Sequence, residues 1–225
     1  MKIIEPSFSL STPFRDRLTR DDGIQMLRFI ERQGRISHRS EDRQTEDSWE
    51  KFIKTVVLSH GDWSIAEHVS VTATIRTDRG ITHELVRHRL FSFTQESTRF
   101  VRNAGEMEFI YPTTMTNIID PDIKKAAWEI GVNKAEWLYH ELLNGGVRPQ
   151  EARSVLPNAL ASTIAVTGNL RNWRAFFMQR ITKEAHPDMK RITIPMLFEF
   201  QKVIPILFDD LVPEEKQSIS MRKAR

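Results

Sequence analysis

Val69, Val71, Ala73 and Ile75 alternate without a break with Ser70, Thr72, Thr74 and Arg76. A two-residue period puts the two sets on opposite faces of an extended chain, one buried and one wet. The segment is therefore a half-buried strand, and the chain must contain a sheet. Ser162 to Gly168 reads as a second strand, Glu108 to Pro112 as a short one, and Lys2 to Leu10 as an edge strand.

Around these strands the period becomes helical. Asp21-Asp22 opens one helix through Gln25, Met26, Phe29 and Ile30, stopped near Gly34. Asp47 opens another, with Glu50 in capping-box position and Trp49, Phe52, Ile53, Val56 and Val57 on one apolar face up to Gly61. Pro121 starts a long helix with Ile123, Ala127, Ile130, Lys134 and Leu138 stacked at helical spacing, closed by Gly145-Gly146; Trp128 and Trp137 are expected to pack. Pro149 opens a short helix that Pro157 ends, and Asn169 caps Leu170 to Ile181, with Leu170, Trp173, Phe177 and Ile181 facing in. A last helix from Asp188 to Leu211 should kink or break at Pro195 and Pro205. The mixture gives an α+β class, in one domain because no linker divides residues 1–225, with 214–225 a solvated tail.

Composition narrows the chemistry. The 225 residues are 40% apolar and 28% charged, enough for a sizeable core and without disordered bias. No stretch approaches the roughly 18 apolar residues of a membrane span, and Met1 to Pro6 lacks a signal peptide's apolar region, so a cytoplasmic protein is expected. A net charge of +3 suits anionic small ligands such as nucleotides, but over this length it does not indicate nucleic acid. The absence of cysteine excludes disulfides, thiolate metal sites and thiolate nucleophiles.

The chemistry concentrates between Arg87 and Arg99, read as Arg87-His88-Arg89-Leu90-Phe91-Ser92-Phe93-Thr94-Gln95-Glu96-Ser97-Thr98-Arg99. The run is too polar for a core strand and lacks helical apolar recurrence, so after Arg89 a loop is expected. Thr77-Asp78-Arg79-Gly80 turns the chain into a short helix, with Ile81, Leu85 and Val86 inward, that delivers the basic triplet at its C-terminal end. There a triplet of this kind can also do no more than complement the helix dipole. His83, Glu84 and His88 invite a zinc reading, but a helical histidine pair needs i, i+4 spacing and the fifth position is Arg87, so no metal site is assigned.

An Arg-His-Arg triplet followed by seven residues, Ser97 and then Arg99 resembles the signature of the flavin-dependent thymidylate synthases, and the continuation from Phe91 to Arg99 resembles family members too. Further blocks follow in the family's order between Arg35 and Lys190: Arg35-Ile36-Ser37 is similar to its Arg-Val-Ser, Ser64-Ile65-Ala66-Glu67-His68 to its Thr-Pro-Phe-Glu-His, Pro149 to Pro157 to its arginine-bearing block, and Asn169-Leu170-Arg171 to its Asn-x-Arg. Ser37 could equally be a plain turn serine, and Ser64 with Glu67 a capping box.

The resemblance implies an α+β domain with a mainly antiparallel sheet flanked by long helices. It also implies FAD as cofactor, NADPH and methylenetetrahydrofolate as co-substrates, and a homotetramer with shared active sites that converts dUMP to dTMP. Carried over residue by residue, Ser37, Ser64, Arg87, His88, Arg89, Gln95, Asn169, Arg171 and Ala175 would meet the cofactor. Glu84, Arg87, Gln95, Glu96, Ser97, Thr98, Arg99, Arg153 and Arg180 would meet the nucleotide. The residue types suit these roles. A phosphate dianion favours forked, permanently charged donors plus hydroxyls, as in Arg99, Arg153 and Ser97. Without a thiol, uracil C5 must be activated by stabilising charge on the ring, which a guanidinium can do, and Arg180 is the candidate catalytic residue. Gln95 carries the donor and acceptor that a pyrimidine edge needs.

Some positions depart from the family pattern. Glu84 stands for glutamine, Gln95 for glutamate, Ala175 for asparagine or histidine, and Glu184 for a ring-stacking histidine, with His186 close by. Two rival readings stay open: a relative that binds flavin and nucleotide without turnover, and a single-stranded nucleic-acid module in which Arg87, His88, Arg89, Phe91, Phe93, Arg99, Phe100 and Arg102 interleave charge with stacking groups. The second explains neither Arg153 nor Arg180.

Overall fold

A computed structural model describes residues 1–99, 105–116 and 120–214; the expected tail from residue 215 onward, and Phe100 and Arg102, lie outside the described residues. The chain forms two compact units, one of residues 1–8, 74–89 and 93–165, the other of 9–73, 90–92 and 166 onward.

The alternating segment is strand β3 (Ser70–Asp78), with Val71, Ala73, Ile75 and Thr77 buried. With β2 (Ser7–Ser11), β4 (Ser92–Gln95) and β6 (Ala161–Asn169) it makes a four-stranded sheet in the order β2-β3-β6-β4. Thr72 bonds Thr167 at 2.7 Å and Arg76 bonds Thr163 at 2.7 Å. One number rises as the other falls, so β3 and β6 run antiparallel. A separate pair, β1 (Lys2–Ile4) with β5 (Glu108–Ile110), is parallel. The class is α+β.

β4 occupies the stretch expected to be a loop. It is an edge strand, and an edge tolerates polar, half-exposed residues that a central strand would not. Its approach is anchored by Phe91, whose ring packs edge-on to Trp173 and Phe176.

Among the helices, α1 (Arg20–Ile36) runs past Gly34 and starts from a Thr19–Asp22 capping box. Helix α2 (Ser48–Phe52) has no side-chain cap from Asp47 and continues as a π-helical turn over Ile53–Ser59 before Gly61 turns at φ +84°. Ser64 and Glu67 form no capping box, because the 3-10 turn Trp63–His68 begins at Asp62 without a side-chain cap. Helix α3 (Arg79–Leu85) buries Ile81 and Leu85 but leaves Val86 exposed beyond its end.

Helix α4 (Pro121–Asn144) shows the largest departure. Ile123, Ile130 and Trp137 are 66, 69 and 59% exposed, while Val132, Glu136, Tyr139 and Leu143 are buried against Met107, Phe109, Ala152 and Leu160. Tertiary contact chose the other face, and the terminal amine of Met1 pairs with Glu136 at 2.9 Å there. Helix α5 (Pro149–Ala152) passes into a 3-10 turn, Arg153–Val155. Helix α6 (Leu170–Arg180) is capped by Asn169 and buries Trp173, Phe176 and Phe177. Helix α7 (Pro187–Val203) tolerates Pro195 inside and stops before Pro205. The aromatic core of the second unit joins Trp173, Phe177, Phe200 and Phe208.

Candidate active site

In the first unit, Asp78 Oδ1 accepts from Ile81 N at 3.0 Å and so fixes the start of α3. Its last turn carries half-buried Glu84, and the backbone then leaves the helix with Arg87 and Arg89 exposed and His88 half-buried. After β4 the chain folds back on β6: Glu96 N donates to Thr163 O at 2.8 Å, and Glu96 Oε2 accepts from Thr163 N at 3.2 Å and lies 3.5 Å from Arg76 Nη1. Gln95 points inward, its Nε2 donating to Thr82 Oγ1 at 2.9 Å and Ser162 Oγ at 3.1 Å.

The next three residues assemble a cationic surface. Ser97 Oγ accepts from Arg99 N at 3.2 Å, and Arg99 Nε donates to Gln150 Oε1 at 3.3 Å. Arg153 Nε donates to the carbonyl of the same Gln150 at 3.2 Å, and its Nη1 to the buried Thr98 hydroxyl at 3.3 Å. The fold thus brings together Ser97, Thr98, Arg99 and Arg153, which sequence reading had only grouped by analogy. It adds Arg79, which that reading treated as a turn residue. Burial and, second, the positive charge of Arg153 push the Arg79 guanidinium below the usual arginine range, while Glu96 pulls the other way. A signal was available: a cation at the first position of a helix opposes the dipole, so stability alone does not favour it there.

In the second unit a cavity of about 770 Å³ is lined by Arg35, Ser37, His38, Arg43, His60 and Ser64 on its polar side, and by Phe52, Val56 and Ile65 on its apolar side. Ser37 and Ser64, far apart in sequence, face the same space. Gly34 is required by this geometry, since a Cβ there would meet the Phe52 ring at 2.6 Å. The π-helical turn that follows Phe52 carries Val56 into the wall.

At α6 in the same unit, Asn169 Oδ1 accepts from Asn172 N at 2.8 Å, Arg171 Nη1 pairs with Glu67 at 2.5 Å, and Ala175 lies exposed one turn on. Half-buried Arg180 ends the helix. Glu184 is exposed, and His186 accepts from Asp188 N at 3.2 Å, which makes it the cap of α7.

Residues 24–206 match the family described as thymidylate synthase complementing protein (Thy1). The flavin-dependent thymidylate synthase of Saccharolobus solfataricus is 35% identical over 195 residues, covering 80% of this chain and 72% of that one. That of Corynebacterium glutamicum is 35% identical over 170 residues, 68% and 66% of the two chains, and that of Sulfurisphaera tokodaii 38% over 172 residues, 75% and 64%. The matches span about two thirds of the length of these curated relatives. A crystal structure of a UMP/dUMP methylase, PolB from Streptomyces cacaoi with bound 5-Br dUMP, superposes with a TM-score of 0.76 at 20% identity over 93% of this chain and 96% of that one, a likeness of fold. By the breadth of the family match and the identity to these relatives, the chain belongs to the flavin-dependent thymidylate synthase family.

Proposed function

We propose that the protein reductively methylates dUMP to dTMP, taking a one-carbon unit from methylenetetrahydrofolate and reducing equivalents from NADPH through FAD. The observation that carries this reading is the meeting of Arg99 and Arg153 on Gln150, beside Ser97 and Thr98, with the cationic Arg79 close to Arg153. Two forked guanidiniums and two hydroxyls are what a nucleotide phosphate dianion favours. Glu84, Arg87, Gln95 and Glu96 belong to the same nucleotide set in this reading; Gln95 has its side-chain nitrogen held by Thr82 and Ser162, so its Oε1 is the atom for a pyrimidine N–H.

The cavity of the second unit suits FAD. Its volume lies within the range of roughly 300–1,000 Å³ common for cofactor sites, with cations, imidazoles and hydroxyls for phosphates and an aliphatic and aromatic wall for a planar ring. Ser37 and Ser64 would hold it there; Arg87, His88, Arg89, Gln95, Asn169, Arg171 and Ala175 are assigned to the cofactor by the family resemblance. When bound, the flavin supplies the hydride that completes the methyl group. In place of thiolate addition at C6, Arg180 activates the ring electrostatically, its positive charge stabilising the electron density that builds on the uracil as C5 becomes nucleophilic. A cytoplasmic homotetramer belongs to the same proposal; the exposed apolar stripe Ile123, Ile130 and Trp137 on α4 supports self-association. Among the described residues no helix is long and apolar enough to cross a membrane.

The test is direct. The purified protein should be yellow, release FAD on denaturation, and form dTMP from dUMP only when folate and NADPH are both present. Arg99→Ala and Arg153→Ala should each lose on the order of 1.5–3 kcal/mol of dUMP affinity, about ten- to a hundredfold, with FAD retained. Normal dUMP binding by either variant would remove that residue from the phosphate site. A colourless protein that cannot be reconstituted with FAD, and that binds single strands tightly at low salt, would replace this reading with a nucleic-acid one.

A further inference from the structure

Glu31 has no exposed surface, yet it is a carboxylate on α1. Burying a charge is costly unless it is paired and hydrogen-bonded, and an apolar side chain would serve packing at least as well. Its partners give it a direction. Arg35, one turn on, donates to Glu31 Oε1 from both Nε, at 2.9 Å, and Nη2, at 2.6 Å. Gln44 Nε2 approaches Oε2 at 3.4 Å while donating to Arg28 O at 2.9 Å.

The guanidinium of Arg35 is held from three sides. Besides the carboxylate, Nη1 donates to Ser40 O at 3.3 Å, and Cζ stands 5.3 Å from the centre of the Phe52 ring. An arginine has five N–H groups. The bonds to described residues account for Nε, one hydrogen of Nη2 and one of Nη1, which leaves one N–H on each terminal nitrogen. Arg35 also lines the cavity, alongside Ser37, His38 and Arg43. An exposed arginine would sample many rotamers and bring its charge to a ligand at an entropic cost, whereas this one is already ordered.

Resting on the reading of this cavity as the FAD site, we propose that Glu31 is a positioning residue that locks Arg35 into the cavity wall, where Arg35 binds the diphosphate of the cofactor. Arg35 is then a binding residue for the phosphates and has no part in holding the isoalloxazine ring. Glu31 touches no ligand and acts through Arg35.

The experiment titrates cofactor-free protein with FAD and, separately, with riboflavin, which lacks phosphates, following flavin fluorescence. Glu31→Gln preserves shape but not charge, and should weaken FAD binding about tenfold or more with riboflavin affinity unchanged. Arg35→Ala alone would strand a buried carboxylate and risk unfolding, so the second variant is the uncharged double substitution Glu31→Gln with Arg35→Met. It should fold, and it should show the same selective loss. FAD binding at wild-type strength in the double variant would overturn the proposal. So would equal losses for FAD and riboflavin, which would make the pair purely structural. Wild-type protein that binds neither flavin would overturn the cavity assignment and this inference with it.

Discussion

Gln95 donates from its side-chain nitrogen to the hydroxyl of Thr82 at 2.9 Å, and Thr82 is fully buried. Thr82 in turn donates to Arg79 O at 3.0 Å, so strand β4 is tied to the first turn of α3 through a chain of hydrogen bonds. The residue assigned to the nucleotide is thus also an internal strut. Gln95→Ala would leave Thr82 and the buried Ser162 without this donor, and should lower stability by about 1–3 kcal/mol. The midpoint of denaturant unfolding measures it; an unchanged midpoint would mean that the two hydroxyls find other partners.

Arg180→Lys keeps a positive charge and loses the planar fork. Single-turnover oxidation of reduced flavin with dUMP and folate should slow by about 10²–10³, with dUMP still binding. If the rate stays near normal while the melting temperature falls, Arg180 only complements the C-terminal dipole of α6, worth about 0.3–1 kcal/mol.

Gly168 lies buried in β6 under the Phe91 ring, and a Cβ there would come 2.4 Å from two of its ring carbons. Gly168→Ala should therefore displace Phe91 from Trp173 and Phe176 and cost about 1–3 kcal/mol. Adding Phe91→Leu should restore part of the loss, since a smaller side chain makes room for the methyl. Thermal melts of the single and double variants decide this, and additive losses would count against it.

Arg174 grips Asp210 with both terminal nitrogens, one at 2.7 Å from Oδ1, and stacks 4.5 Å from the Trp63 ring centre. That hydrogen bonding holds the Asp210 carboxyl below the usual aspartate range. A depressed carboxylate contributes stability that is complete above its unfolded value of about 3.9 and is lost as pH falls from there through the folded value. Acid unfolding of Asp210→Asn should accordingly show a shallower pH dependence below about pH 4. The Asp210 side chain is 54% exposed and that of Arg174 only 15%, so salt should screen the pair in part and shrink the effect without abolishing it.

Local pattern by itself determined much of this protein. Period two in Val69 to Ile75, the Asn169 cap and the inward face of α6 at Leu170, Trp173, Phe177 and Ile181 all lie where the residues indicated, because each rests on interactions between near neighbours along the chain. The Arg87 to Arg99 motif likewise carries the family resemblance in its residue order alone. Tertiary structure decided what depends on distant partners. It turned α4 so that Tyr139 and not Ile130 is buried, since a helix with apolar residues on more than one side takes the face its neighbours cover. It made an edge strand of the polar stretch Ser92 to Gln95, because β6 offered hydrogen bonds that polarity along the chain cannot reveal. It also gathered Arg99 and Arg153 around Gln150 and Thr98, brought Arg79 near Arg153, and buried Glu31 behind Arg35. A charge's meaning depends on which charges and how much water the fold leaves beside it, and only the folded chain sets those distances.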